Sequence, residues 1–114
     1  MQPTMVDTDI LSLFFRGEST VITKFESYLQ QYNSINLSLI TYYEILSGLK
    51  HRDAHRQFNL FLDFAAQNIV LPLTKESVSI SADIYADLRK KGSPIDDIDI
   101  LIAGIAMNNN LILA

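Results

Sequence analysis

The sequence predicts an α/β fold in which a central parallel sheet is flanked by helices. Two observations support this prediction. Short apolar runs alternate with segments whose apolar residues recur at helical spacing, and capping or turn residues stand at the breaks between them. Parallel strands are joined by long crossovers that usually contain a helix, so this alternation fits a parallel sheet covered by helices. In such sheets a ligand binds beyond the carboxyl ends of the strands.

The start of the chain is predicted to form one strand and two helices. A short apolar run over 4–7 ends in acidic residues and is interpreted as the first strand. The apolar segment 10–15 follows at once as a helix, which Arg16 and Gly17 close. A second helix over 18–31 is indicated by apolar residues at helical spacing, namely Val21, Ile22, Phe25, Tyr28 and Leu29.

The middle of the chain is predicted to form a second strand and two further helices. Residues 34–38 are expected to be the strand, and Ser38 is a suitable N-cap for a helix that runs to about Lys50. Over 56–66, one apolar stripe indicates another amphipathic helix. Its aromatic residues are expected in the core or in a dimer interface rather than as platforms for nucleic-acid bases; they are Phe58, Phe61 and Phe64.

The end of the chain is predicted to form two strands and two helices. A short, buried strand is expected over 69–73, although Pro72 interrupts it. Thr74 is expected to cap a long helix to Lys91, because acidic residues lie in its first turn and basic residues in its last. The remaining features are a break over 92–94, a helix from Asp96 to about 108–110, and a last strand over 111–113.

The composition is that of one folded domain spanning 1–114. Apolar residues make up 48% of it and charged residues 19%, which excludes disorder and predicts that an apolar helical face is buried against a second copy. The chain has no Cys, so disulfides and thiolate metal sites are excluded, and a cytoplasmic location is expected. The first residues of the chain do not show the pattern of a signal peptide, and the apolar run 98–107 is too short to span a membrane.

Three acidic residues stand where apolar side chains are expected. Asp7 extends the first strand, Glu44 lies inside an apolar helix, and Asp99 lies on the predicted buried face of the nearly all-apolar helix after Asp96. A buried carboxylate needs hydrogen bonds, a cation or protonation. A solvated surface position remains the alternative for Glu44.

Helix capping accounts for some of the neighbouring acids. Capping of the helix over 10–15 is one interpretation of Asp9. Asp96 with Asp97 suffices to cap the later helix, which leaves Asp99 unexplained. Oxygen ligands without Cys or His suit Mg²⁺ or Mn²⁺. Such ions are used to hydrolyse phosphodiesters. The net charge of −4 counts mildly against a nucleic-acid binder, unless a cation among the acids supplies the positive field.

Three segments together resemble the PIN domain family, and in particular its VapC-type toxins. They are MVDTDIL at 5–11, ITYYEILSGL at 40–49 and GSPIDDIDILIA at 92–103. The resemblance covers nearly the whole chain. It implies a PIN-like central parallel sheet, Mg²⁺- or Mn²⁺-dependent endoribonuclease activity on RNA, homodimers, and inhibition by a VapB-like antitoxin in a type II toxin–antitoxin system.

The resemblance also implies roles for individual residues. Asp7, Glu44 and Asp99 fall on the catalytic, metal-binding acids of the family, and Asp97 falls on an accessory acid at the metal. Asp9 falls on a position that is commonly Asp or Asn. Family members continue beyond the last predicted strand into a Thr-x-Asp/Asn segment and a further strand. The C-terminal edge strand and its extra polar group are therefore expected to be missing.

Because this C-terminal segment of the family is expected to be missing, a second function stays open. It is a catalytically impaired PIN-like module that binds an antitoxin or a second copy of the same chain. Asp7-Thr8-Asp9 after a strand is also similar to phosphatases of the HAD type, but those enzymes usually need a longer chain with a later Lys, and this chain has no room for their cap domain. A response-receiver domain would need an Asp at the end of a middle strand, and the strand over 69–73 carries none.

Two basic stretches complete the candidate sites. His51 and His55 stand at a spacing that can chelate a metal, but the surrounding stretch 50–56 is more typical of a solvated surface. Together with 89–91, this stretch is either plain surface or a contact for RNA phosphates or a partner.

Overall fold

A computed structural model describes residues 1–93 and 95–114, in which strands and helices follow the predicted order. The strands are β1 (Thr4–Val6), β2 (Asn36–Ser38), β3 (Ile69–Leu71) and β4 (Ile112–Leu113). The helices are α1 (Thr8–Phe15), α2 (Ser19–Tyr32), α3 (Leu39–His51), α4 (His55–Gln67), α5 (Lys75–Lys90) and α6 (Asp97–Asn108).

The four strands form one parallel sheet in the order β3-β2-β1-β4. In its registers Met5 lies opposite Asn36, Asn36 opposite Ile69, and Met5 opposite Leu113. Because all pairs are parallel, the carboxyl ends of the strands lie at one edge of the sheet. The predicted α/β class is confirmed.

Polar caps begin the helices as predicted at three places. Ser38 accepts a hydrogen bond from the Thr41 amide at 2.9 Å at the start of α3. Thr74 accepts one from the Ser77 amide at 3.0 Å, and the Ser77 hydroxyl accepts one from the Thr74 amide, which completes a capping box for α5. Asp96 accepts from the Ile98 amide at 2.8 Å at the start of α6.

Helices pack on both faces of the sheet. Val6 belongs to a large cluster formed with α1 to α4, whereas the preceding residue Met5 belongs to a second cluster with Ile102 and Ile105 of α6. Successive side chains of a strand point to opposite faces, so the two clusters lie on opposite sides. Phe61 is fully buried, with Phe58 and Phe64 packed against its cluster, which confirms the predicted core placement.

The expectation for the strand after α4 was partly wrong. It was predicted as a buried strand over 69–73, but β3 ends at Leu71, lies at the sheet edge, and leaves Ile69 45% exposed. Pro72 has no amide to donate to a neighbouring strand, so pairing stops before it. Apolar composition alone does not distinguish a central strand from an edge strand.

The connection between α5 and α6 contains the predicted break. α5 ends at Lys90, and Gly92 adopts a left-handed φ of 68°. Pro94, the last residue of the predicted break, lies outside the described residues. None of the helices in the described ranges has the length and apolar character needed to cross a membrane.

Candidate functional site

The carboxyl edge of the sheet brings the starts of three helices together. Asp7 directly follows β1, and α3 directly follows β2. Helix α6 leads into the amino end of β4 and packs against Met5, so its first turn lies toward the opposite, carboxyl edge. The four predicted site acids are carried by these segments: Asp7, Glu44, Asp97 and Asp99.

Asp7 is the N-cap of α1, a role that was predicted for Asp9. Its backbone is extended, and Oδ1 accepts a hydrogen bond from the Ile10 amide at 2.9 Å. The helix therefore begins at Thr8, earlier than predicted, and Asp9 lies exposed in the first turn. The capping expectation for Asp9 is wrong because the strand already ends at Val6 and leaves Asp7 as the first residue free to cap. Capping uses one oxygen of Asp7 and leaves Oδ2 as a second acceptor.

Glu44 is half-buried and is held by a hydroxyl that the sequence argument overlooked. Thr8 Oγ1 donates a short hydrogen bond to Glu44 Oε1 at 2.6 Å. The Thr41 hydroxyl lies 3.0 Å from the Thr8 hydroxyl. Since the Thr8 proton points to Glu44, Thr41 donates to Thr8. The fully buried Thr41 thus anchors a chain of two hydroxyls that ends on Glu44.

The hydroxyl chain ends on Glu44, and Thr8 in its middle directly follows a second predicted acid. Thr8 is the residue next to Asp7, so one turn of backbone positions both the Asp7 carboxylate and the donor that orients Glu44. In the sequence Thr8 stands between two acids, where no role is predicted for it. A hydroxyl residue between two candidate metal-binding acids is the feature of the sequence that indicates such a hydrogen-bond donor.

Asp99 is exposed, and the expectation that it lies on a buried helix face is wrong. In α6 the buried positions begin with Ile100 (3% exposed) and continue with Ile102 (4%). Asp97 and Asp99, in the first turn of the helix, are both exposed, and Asp97 lines an open cavity together with Arg89 of α5. The apolar sequence of α6 reflects its later turns, which pack on the sheet and on α5.

The placement of Asp99 relative to Glu44 follows from the packing of α3 on α6. Ile40, one turn before Glu44, packs against the cluster that contains Ile102, one turn after Asp99. Each acid is thus one helical turn from a residue that belongs to, or packs against, the same apolar cluster. Among residues 1–93 and 95–114, however, no three acidic or histidine side chains are close enough to hold one ion. His51 and His55 are exposed.

The donor chemistry of Asp7 and Glu44 still fits a hard divalent cation. Mg²⁺ usually keeps several water ligands and is bound through one or two protein carboxylates, so it does not need a closed cage of acids. Within the described part of the chain, the single ion pair joins Lys91 and Asp87 at 3.0 Å, so no Lys or Arg there makes a salt bridge with the four candidate acids. Two oriented carboxylates that make no salt bridge provide hard oxygen ligands at the edge where ligands bind.

A cleft of about 460 Å³ adjoins Glu44 between α1, α3 and α4. Thr8 and Glu44 line one end of it, and Arg16 and Arg52 contribute positive charge. Phe15, Leu60 and the buried Phe61 provide apolar surface. The acids therefore open onto a groove that combines charged and apolar groups.

Comparison with known proteins identifies the fold family. The model of the PIN domain family matches residues 4–114. The chain is 26% identical over 111 residues to "Ribonuclease VapC1" of Methanocaldococcus jannaschii, a match that covers 93% of this chain and 69% of that protein.

Solved structures agree with this match. The crystal structure of DNA-bound VapBC from Salmonella typhimurium superposes with a TM-score of 0.86 at 23% identity, covering 99% of this chain and 85% of that one. VapBC2 from Rickettsia felis, bound to a DNA fragment from its promoter, gives a TM-score of 0.84 at 23% identity, with 96% and 84% covered. At this identity the likeness shows the fold. Since the family model covers almost the whole chain, the protein belongs to the PIN domain family.

Proposed function

We propose that this chain is a metal-dependent endoribonuclease that acts as the toxin of a VapBC-like type II toxin–antitoxin pair. The observation that carries the proposal is that Thr8, the residue after the capping Asp7, holds Glu44 by a hydrogen bond at the carboxyl edge of a PIN-fold sheet. The names of the relatives, "Ribonuclease VapC1", support the same activity. The substrate is RNA, and we place the toxin in the cytoplasm, where RNA is found.

In this proposal Asp7, Glu44 and Asp99 hold Mg²⁺ or Mn²⁺, and Asp97 assists. When bound, the ion offsets the negative charge that develops on the phosphodiester during hydrolysis. Asp7 is kept in place by its cap on α1, and Glu44 by the Thr8 hydroxyl. A carboxylate that is already oriented loses less side-chain entropy when it binds a ligand. The exposed Asp97 and Asp99 complete the site from α6.

The proposed partner is a small VapB-like antitoxin that blocks the acidic site. An Arg side chain suits this role, because its planar guanidinium pairs with carboxylates through two hydrogen bonds and keeps its charge. The blocking segment would then compete with the divalent ion. Co-expression with the neighbouring small reading frame tests the pairing. A product that neither co-purifies with this chain nor relieves growth inhibition would contradict it.

The second candidate function is a binding module without catalytic activity. The specific observation in its favour is that no three acids of the described residues converge on one point. Such a module would still bind an antitoxin or a second copy of itself, but RNA would survive incubation with the purified chain and Mg²⁺.

Cleavage of a labelled single-stranded RNA by the purified chain separates the two functions. The wild type should cleave in Mg²⁺ or Mn²⁺ and stop on addition of EDTA. Asp7→Asn should abolish cleavage while keeping the cap on α1, because Asn caps helices as well as Asp does. Asp63→Asn, which removes an equal charge from an exposed position in α4, is the matched control and should cleave normally. Full activity in Asp7→Asn would exclude the proposed site.

A further inference from the structure

Two arginines in the cleft beside Glu44 have no role in the proposed hydrolysis. Arg16 forms the C-cap of α1 and Arg52 the C-cap of α3, and both are exposed. Both line the cleft that Glu44 also lines. Neither makes an ion pair with an acid among the described residues. Their guanidinium groups therefore keep hydrogen-bond donors available for a ligand.

Arg52 folds back along α3 over Gly48, toward Glu44. The Arg52 Nη1 atom lies 3.5 Å from the position that a Cβ on Gly48 would occupy. Gly48 is one helical turn from Glu44 on the same face of the helix. The guanidinium is thus held over the helix surface, about one turn from the candidate catalytic acid.

The walls of the cleft suit the other parts of a nucleic-acid strand. Phe15 is 39% exposed and Leu60 is 50% exposed, so the cleft offers apolar surface beside the two guanidinium groups. Single-stranded RNA presents phosphates and unstacked bases with flat apolar faces. With a net charge of −4, the protein as a whole does not attract a polyanion, so RNA binding requires a local basic site.

We infer that Arg16 and Arg52 bind backbone phosphates of a single-stranded RNA, next to the phosphate that is cut. The inference rests on the proposed ribonuclease function and adds the residues that position its substrate. The arginines offset the repulsion between the RNA and the site acids. They also fix which phosphate of the strand reaches Glu44. A protein partner is the other occupant that such a cleft could take, and the test distinguishes it.

The test measures RNA affinity separately from cleavage. A fluorescently labelled single-stranded RNA is titrated with protein in EDTA at several salt concentrations. Arg16→Gln and Arg52→Gln should each weaken binding roughly threefold to tenfold and lower the slope of log affinity against log salt by about 0.7. Arg52→Lys should keep the slope, since the charge remains. Lys24→Gln removes an exposed positive charge of α2 that does not line the cleft, and it should bind like the wild type.

The outcomes separate this inference from the proposed function. Wild-type affinity and slope in both Gln variants, or no measurable RNA binding by the wild type, would overturn the inference even if RNA is cleaved in Mg²⁺. Loss of binding in both variants would support it even if no cleavage occurs. Gln variants that bind RNA normally but no longer retain a co-expressed antitoxin would assign the cleft to the protein partner and would also overturn it. Thermal unfolding of each variant confirms that it is folded.

Discussion

Asp7 combines a structural and a chemical role in one carboxylate. Its Oδ1 caps α1, while the same side chain is proposed to bind the metal ion. These roles respond differently to substitution, because the cap needs only a hydrogen-bond acceptor and the metal needs a negative charge. Two variants at one position can therefore separate fold from function.

Asp7→Ala should lower the free energy of unfolding by about 1 kcal/mol, whereas Asp7→Asn should leave it nearly unchanged. Both should lose divalent-dependent RNA cleavage. Chemical denaturation and a cleavage assay measure the two effects. Equal stability of the Ala and Asn variants would show that the cap contributes little. Cleavage by either variant would contradict the metal role.

Thr8 is a positioning residue whose hydroxyl orients Glu44. Thr8→Val should raise the Mg²⁺ concentration needed for half-maximal cleavage and lower stability by about 1 kcal/mol, since Glu44 loses a charge-assisted hydrogen bond. Thr8→Ser should restore the Mg²⁺ dependence. Thr23→Val is the control, because it removes an exposed hydroxyl that only contacts its own helix at Ser19. An unchanged Mg²⁺ titration in Thr8→Val would rule out the positioning role.

At the scale of elements, the contact between α5 and α6 depends on small side chains. A Cβ on Gly104 would lie 2.0 Å from Ser81 Oγ and 2.5 Å from the backbone oxygen of Ser77. Ser81 Oγ also donates to the Ile100 carbonyl at 3.0 Å and ties the two helices together. This contact holds α6, and hence Asp97 and Asp99, in place.

Gly104→Ala should therefore destabilise the protein by about 1–3 kcal/mol, although Ala is the better helix former. The clash with the Ser77 backbone cannot be relieved by a side-chain rotation, so the helices must separate. Gly48→Ala is the matched control. Its Cβ would meet only Arg52 Nη1 at 3.5 Å, and it should be neutral or stabilising by up to about 1 kcal/mol. Thermal or urea unfolding checks both, and a Gly104→Ala variant as stable as the wild type would contradict the tight contact.

At the scale of the whole molecule, the surface leaves apolar side chains uncovered. On α5, Val78 is 41% exposed and Tyr85 is 44% exposed, and the exposed Ala82 lies between them on the same face. Leu73, just before the helix, is 42% exposed. An apolar stripe of this kind on a charged helix is typical of a surface that associates.

The homodimer expected from the sequence remains a prediction, and the α5 stripe is where we expect it. Light scattering at tens of micromolar should give a dimer mass for the wild type, and Val78→Glu should shift it to the monomer. Ile112→Glu tests the competing route, association through the exposed edge strand β4, and should leave a defined dimer intact. A monomeric wild type, or a dimer lost only in Ile112→Glu, would contradict the α5 interface.

Local signals in the sequence predicted the fold well, because most helices carry an apolar stripe and a polar capping residue. The boundaries of the helices and strands agree with the structure to within two residues. The site was only partly predictable. Asp7, Glu44 and the acids of α6 stand out as carboxylates in apolar surroundings, but the exposure of Asp99 depends on how far α6 extends beyond its packing partners. The cleft with Arg16 and Arg52 lies between three helices. A local sequence pattern does not show which helices will be neighbours in the fold.

The pairing of β1 with β4 has a consequence for the order in which the site forms. The Asp7 amide donates to the Ala114 carbonyl at 2.7 Å, and the Ala114 amide donates to the Met5 carbonyl at 3.0 Å. These bonds connect positions separated by nearly the whole chain, and such long-range contacts form late and slowly in folding. β4 has two residues and an exposed edge, so its detachment is expected to be among the easiest partial openings of the native state. The exchange rate of the Asp7 amide proton should therefore exceed that of the Leu37 amide in β2. This exchange rate would measure how often the backbone amide of the candidate acid Asp7 is released from β4.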